Sequence, residues 1–200
     1  MSRRRDQAFC SAAVVSGAVI LVALLASCRS APTRIFTLEP IAAAAVVPYG
    51  GPAVRIDSVH MPPAMDRIEI TTEMAPGEFR INDLDHWAAP LGRLVRQALT
   101  QDLMVRMPEG RVISPHLPKP QGAIGIDLDI IAFSADAKGA RFEASWMIIS
   151  ADSRPPLAPR MLLLKGATPS AGAAATVQAL SELLAQLADR ISQQLAAGTP

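Results

Sequence analysis

The sequence predicts a single α/β domain with a mixed β-sheet and two long amphipathic helices, preceded by an export signal. Two segments, about 87–106 and 171–195, place apolar residues at spacings of three and four, the period of a helix with one buried stripe. Shorter segments before, between and after the first of these alternate apolar and polar residues, the period of a half-buried strand. Proline and glycine pairs separate the segments, and strands that flank helices in this way predict a mixed layer architecture.

The chain opens on Arg3-Arg4-Arg5, continues into an apolar run and closes that run on Leu25-Ala26-Ser27-Cys28. Basic residues, an apolar core and small residues before a cysteine are how bacteria mark a protein for lipidation. The Cys28 thiol is then the acylation site, residues 1–27 are a cleaved signal peptide, and Cys28 is the mature N-terminus. The competing reading is a retained transmembrane anchor or a buried helix. From Ala12 to Ala26 the run is 15 residues long, against roughly 20 for a helix that crosses a bilayer, although Cys10 and Ser11 could lengthen it. Arg29 follows the cysteine, where enteric lipoproteins held in the inner membrane commonly carry aspartate, so the expected address is the periplasmic face of the outer membrane.

Without residues 1–27 the chain keeps 173 residues, enough for one domain with a proper core. It then carries 16 basic and 17 acidic side chains, a balance that gives no electrostatic pull toward nucleic acid. Cys10 leaves with the signal and Cys28 is committed to lipid, so no internal disulfide is expected. His60, His86 and His116 show no ligand-type spacing, so neither a metal nor a cofactor is expected. Each acyl methylene buried in a bilayer contributes about 0.8 kcal/mol, so a doubly or triply acylated cysteine anchors the chain unaided.

Residues 28–52 read as a lipidated tether with a first short strand, Ile35-Phe36-Thr37-Leu38, followed by an Ala-, Pro- and Gly-rich stretch over 40–52. Residues 53–197 read as the main domain. Val54, Ile56 and Val59 predict a strand that Pro62-Pro63 ends, because proline donates nothing to a ladder. Arg67 to Glu73 predicts a second strand, with Ile68 and Ile70 on one face. Pro76-Gly77 predicts a turn, and Phe79 to Ile81 completes a hairpin.

The first helix is expected from Trp87 or Ala88 to Arg106, with Leu91, Leu94, Val95, Ala98, Leu99 and Leu103 as its stripe. Pro90 fits only its first turn, and Asp83 and Asp85 are expected beside its positive end. Pro108 and Gly110 stop it. Ile124 to Ile130 and Phe142 to Ile148 alternate around a hairpin turn over Ala135 to Gly139, with Asp127 and Asp129 set against Arg141 and Glu143. Arg154-Pro155-Pro156 predicts a turn before a strand over Met161 to Leu164. The last helix is expected over Ala171 to Leu195, with Val177, Leu180, Leu184, Leu187, Ile191 and Leu195 inside and Gly198 just beyond its end.

Catalytic chemistry finds little to build on. The chain has no Gly-x-Ser-x-Gly elbow, no free cysteine nucleophile after the signal and no Gly-rich phosphate loop ahead of either helix. Asp127 and Asp129 could form an acid–base pair, but alternation on a half-exposed strand accounts for them, and His86 reads as a helix-start residue.

Trp87-Ala88-Ala89-Pro90-Leu91, together with Met61-Pro62 and Met65-Asp66-Arg67, resembles the ABC-type transport auxiliary lipoproteins, the PqiC-like family associated with MCE proteins. In that family an aromatic-x-Leu strand follows the lipidated cysteine, matched by Phe36-Thr37-Leu38. A proline-containing turn with Asp-Arg comes next, and a Trp-Ala-x-Pro-Leu segment opens the first long helix. The order holds over residues 28–197. Relatives often carry an acidic residue at the place of Ala89 and Arg or Asn at that of His86, so a charged contact made there by relatives is not carried over.

The resemblance implies a three-layer α/β fold similar to the anticodon-binding-domain class. It also implies a non-catalytic component that docks a periplasmic MCE assembly and its ABC transporter at the outer membrane, with a homo-oligomeric ring as a plausible form. Asp66, Arg67, Trp87, Pro90 and Leu91 are the motif residues that this role would use, and Trp87 suits either a core or an interface. Two other classes compete: a lipoprotein that binds or inhibits an envelope enzyme, and a lipid-anchored hydrolase.

Overall fold

A computed structural model describes residues 31–75, 77–136, 138–149, 159–168, 170 and 172–198. Cys28, the signal peptide and the expected Arg154-Pro155-Pro156 turn lie outside the described residues. The elements in chain order are β1 (Arg34–Phe36), β2 (Val54–His60), β3 (Glu69–Ala75), β4 (Glu78–Trp87), α1 (Leu91–Met104), β5 (Ile124–Asp136), β6 (Gly139–Ile149), β7 (Arg160–Gly166) and α2 (Ala173–Ala196).

The strands form two mixed sheets. The larger has the order β2-β5-β6-β7, with β2 parallel to β5 and the other pairs antiparallel. The smaller has the order β1-β4-β3, with β1 parallel to β4 and β3-β4 an antiparallel hairpin. Local periodicity gives each strand its buried face but carries no address for its neighbour, so the division into two sheets is decided by packing alone.

Both helices pack against each other and against the larger sheet. Every residue of the two expected stripes is buried: Leu91, Leu94, Val95, Ala98, Leu99 and Leu103 on α1, and Val177, Leu180, Leu184, Leu187, Ile191 and Leu195 on α2. They meet Val54 and Ile56 of β2, Ile124, Ile126, Leu128 and Ile130 of β5, and Phe142, Ala144, Trp146 and Ile148 of β6 in one apolar cluster. Phe133 and Phe142 meet edge to face, with ring centroids 5.5 Å apart. Gly110 follows α1 at φ 76°, a left-handed turn position that glycine enters without a Cβ clash.

Four local expectations are corrected. α1 starts at Leu91, because β4 continues to Trp87: the Trp87 amide donates to Ile68 O at 2.6 Å and the Ala88 amide to Phe36 O at 2.8 Å. Pro90 then sits at the N-cap, where its effect on Ala89 keeps the helix from starting earlier. Asp83 and Asp85 belong to β4 and not to a helix end; Asp85 is buried and paired with Arg34 at 2.6 Å.

Ile68 does not share the face of Ile70. It precedes β3 and is 52% exposed, whereas Ile70 is buried. Asp127 and Asp129 lie opposite Met147 and Ser145, and not opposite Arg141 and Glu143. The hairpin is tighter and its strands longer than the alternating segments suggested, which moves both acids away from the turn.

Candidate functional site

The motif residues converge where the smaller sheet hands the chain to α1. Asp66 lies in the turn that follows Pro62 and Pro63, a turn held by the Met65 and Asp66 amides donating to Pro62 O. That geometry aims its carboxylate at the helix start, where Asp66 Oδ1 accepts the Gly92 amide at 2.9 Å. Pro90 cannot cap with a side chain and α1 has no acidic residue in its first turn, so Asp66 supplies both the acceptor and the negative charge from 26 residues upstream. A Cβ at Gly92 would stand 3.5 Å from Asp66 Oδ1, ordinary van der Waals contact, so the cap does not depend on glycine there.

Trp87 is 4% exposed and belongs to the apolar cluster with Leu91. The hydrogen bond that its amide donates to Ile68 O and its pairing with Phe36 make it the point where β1, β4 and the turn after Met65 are tied together. Pro90 O accepts the Arg93 and Leu94 amides, which closes the first turn of α1. Asp66, Trp87, Pro90 and Leu91 thus form one joint between sheet and helix.

Asp66, Arg67 and Pro90 are exposed and Trp87 and Leu91 buried; Arg67, 43% exposed, has its Nε 3.2 Å from Glu69 Oε2. Glu69 is held below the usual carboxylate range, first by a backbone hydrogen bond and then by Arg67. Across the smaller sheet Glu69 aligns with His86, and His86 with Ile35, so the three occupy one row; Ile35 is 70% exposed. Arg67 and Ile68, just before β3, lie next in the chain to Glu69, which shares its row with His86 and Ile35, and together they form a small amphipathic surface.

A buried polar network, which no local pattern announces, fixes the residues between β1 and β2. Arg106 is buried and donates from Nε to Asp189 Oδ1 at 2.6 Å, and from Nη1 to Ile41 O and to Asp102. Asp102 Oδ1 also accepts the Ile41 amide at 2.8 Å, while Oδ2 is buried without a partner among the described residues. Burial therefore dominates and pushes the Asp102 carboxyl up to about 6, although Ile41 and Arg106 pull the other way. The Glu39 amide donates to Ser181 Oγ and the Val47 amide to Arg106 O, so residues 39–47 are fastened to both helices.

A second ion cluster sits on the larger sheet. Asp57 accepts from Arg55 at 2.6 Å and from Lys119 at 2.5 Å, and these two partners outweigh its burial and lower its carboxyl below the usual range. A Cβ at Gly125 would meet the Asp57 carboxylate and the Lys119 amine, so the ion cluster would have to shift to admit one. Asp127 accepts the Ser58 hydroxyl at 2.6 Å.

These features define a class: an α/β domain whose motif joins a small mixed sheet to an amphipathic helix and leaves Arg67 on the surface. The family described as the ABC-type transport auxiliary lipoprotein component matches residues 36–192, and the chain belongs to it. A crystal structure of an uncharacterized protein superposes with a TM-score of 0.68 at 15% identity, covering 82% of this chain and 99% of that one. The crystal structure of protein XCC0632 from Xanthomonas campestris, of the DUF330 family, does so with a TM-score of 0.66 at 16% identity, covering 82% and 96%. Both likenesses establish a shared fold. No curated protein sequence matches the chain. The described residues contain no helix long and apolar enough to cross a membrane.

Proposed function

We propose that this protein is the non-catalytic, outer-membrane-anchored lipoprotein of an MCE/ABC-type intermembrane lipid transport system, docking the periplasmic MCE assembly at the outer membrane. The family match over residues 36–192 carries the reading, because it makes the chain an auxiliary lipoprotein of ABC-type transport. Leu25-Ala26-Ser27-Cys28 supports the anchor, with Cys28 acylated. A homo-oligomeric ring would match the ring symmetry of MCE assemblies.

Within this reading the motif divides into two parts. Asp66, Trp87, Pro90 and Leu91 brace the joint, and Arg67 with Ile68 and Ile35 presents the contact surface. The test is Arg67→Glu in the lipidated protein. Among the described residues Arg67 pairs with Glu69 two residues away on the surface, so its reversal should leave the melting curve within about 0.5 kcal/mol of wild type while weakening capture of the MCE protein. Undiminished capture would remove Arg67 from the contact.

A further inference from the structure

The outward face of α1 carries a feature that the transport reading does not use. Arg93, Arg96, Gln97, Gln101 and Met104 follow one another at helical spacing on that face with the buried Thr100 beside them, and the loop Ser114-Pro115-His116 completes a cavity of about 390 Å³. Two guanidinium groups and an imidazole line it, and no carboxylate does. A cavity of the same volume between the two sheets, by contrast, sets Arg80 and Lys138 against Glu73 and Asp136.

Arg93, Arg96 and His116 have no acidic partner among the described residues, whereas Arg34, Arg55, Arg67, Arg106, Lys119 and Arg141 each have one. Arg96 is nevertheless fixed in place, because its Nε donates to Ile56 O at 3.1 Å on a fully buried strand residue, which leaves the Nη groups unengaged among the described residues.

The loop is fixed as well. The Ile113 amide donates to Val54 O, the Leu117 amide to Ser114 O, and Arg55 Nη1 to Leu117 O. A rigid cleft with forked cationic donors, a serine hydroxyl and two side-chain amides has the donors that tetrahedral oxyanions take. Met104 and Pro115 add an apolar margin that an inorganic ion would not use.

We infer that the cleft between α1 and the Ser114–His116 loop binds a phosphate group, with Arg93, Arg96 and His116 as its hydrogen-bond donors. The phosphate comes from a lipid headgroup, a phosphodiester, or from a free phosphate. The inference rests on the chemistry of the cleft and holds whether or not the protein docks an MCE assembly.

The test titrates the full-length protein, in non-ionic detergent at low salt, with glycerophosphoglycerol and separately with inorganic phosphate. Calorimetry and the arginine Nε–H resonances report binding. Saturable binding of at least one probe below about 1 mM is expected, weakened about tenfold or more in the Arg93→Gln, His116→Gln double variant. Gln97→Glu, a near-isosteric change on the exposed face, should weaken it as well by placing a carboxylate in the cleft.

Arg160→Gln, on the exposed start of β7, should bind as wild type does. Tighter binding of glycerophosphoglycerol assigns the cleft to lipid headgroups, and tighter binding of inorganic phosphate assigns it to free phosphate. No saturable binding of either probe, or variants in the cleft that bind like wild type while melting normally, would overturn the inference.

Discussion

Asp102→Asn should abolish a pH dependence of stability that the wild-type protein shows between about pH 4.5 and pH 7.5. The Asp102 carboxyl is buried and held up at about 6, against an ordinary value of 3.8. In that interval the folded chain holds a proton that the unfolded chain has released, so stability falls as pH rises and levels off above about 6. Integrating the linkage between about pH 4.5 and 7.5 gives roughly 2 kcal/mol of extra stability at the acid end.

The groups that face this carboxyl are Arg106 just beyond the end of its own helix, Asp189 of α2 and the Ile41 amide. Asparagine keeps an acceptor for Ile41 and does not titrate. Asp57 and Glu69 act in the opposite sense, since lowered carboxyls lose stability as pH falls through their folded values, below the ordinary 3.8 and 4.5. Urea unfolding of both proteins at about pH 4.5, 6 and 7.5 measures the difference directly. Parallel stability profiles for wild type and Asp102→Asn would refute the assignment of the buried charge.

Three further outcomes follow from the same geometry. Cys28→Ser should leave an unacylated precursor of full length, and mass spectrometry that finds the mature N-terminus at any other residue would end the lipoprotein reading. Leu94→Ala and Leu184→Ala each remove a buried stripe residue and should each cost about 2 to 5 kcal/mol in denaturant melts; unchanged midpoints would place both helix faces wrongly. Asp66→Ala should cost about 0.5 to 2 kcal/mol by uncapping α1, with Asp66→Asn recovering part of it; no loss in urea melts would deny the long-range cap.

The readable and unreadable parts of this chain divide along a physical line. Both helix stripes were legible to the residue, because a 3.6-residue period is imposed by burial of one face and each stripe residue is buried. The β3-β4 and β5-β6 hairpins were legible because turn chemistry at Pro76-Gly77 and around Gly139 limits the pairing to neighbours. The parallel pairs β1-β4 and β2-β5 join distant strands and leave no local mark. The same holds for the cap: Trp87-Ala88-Ala89-Pro90-Leu91 shows a helix starting, but nothing within it reveals that the acid on Gly92 is Asp66. Arg106, Asp102 and Asp189 read as ordinary polar positions on amphipathic helices, and only tertiary contact turns them into a buried network.

The central claim is that the protein is an anchored docking component of an intermembrane lipid transporter. Its most direct test is co-purification: the acylated wild-type protein, solubilised from envelopes and isolated under conditions that preserve complexes, with its companions identified by mass spectrometry. The account predicts that an MCE-domain protein accompanies it in near-stoichiometric amount, and that the Cys28→Ser protein, which lacks its anchor, loses that companion at the outer membrane. Recovery of a periplasmic enzyme in its place, with no MCE protein, would contradict the account.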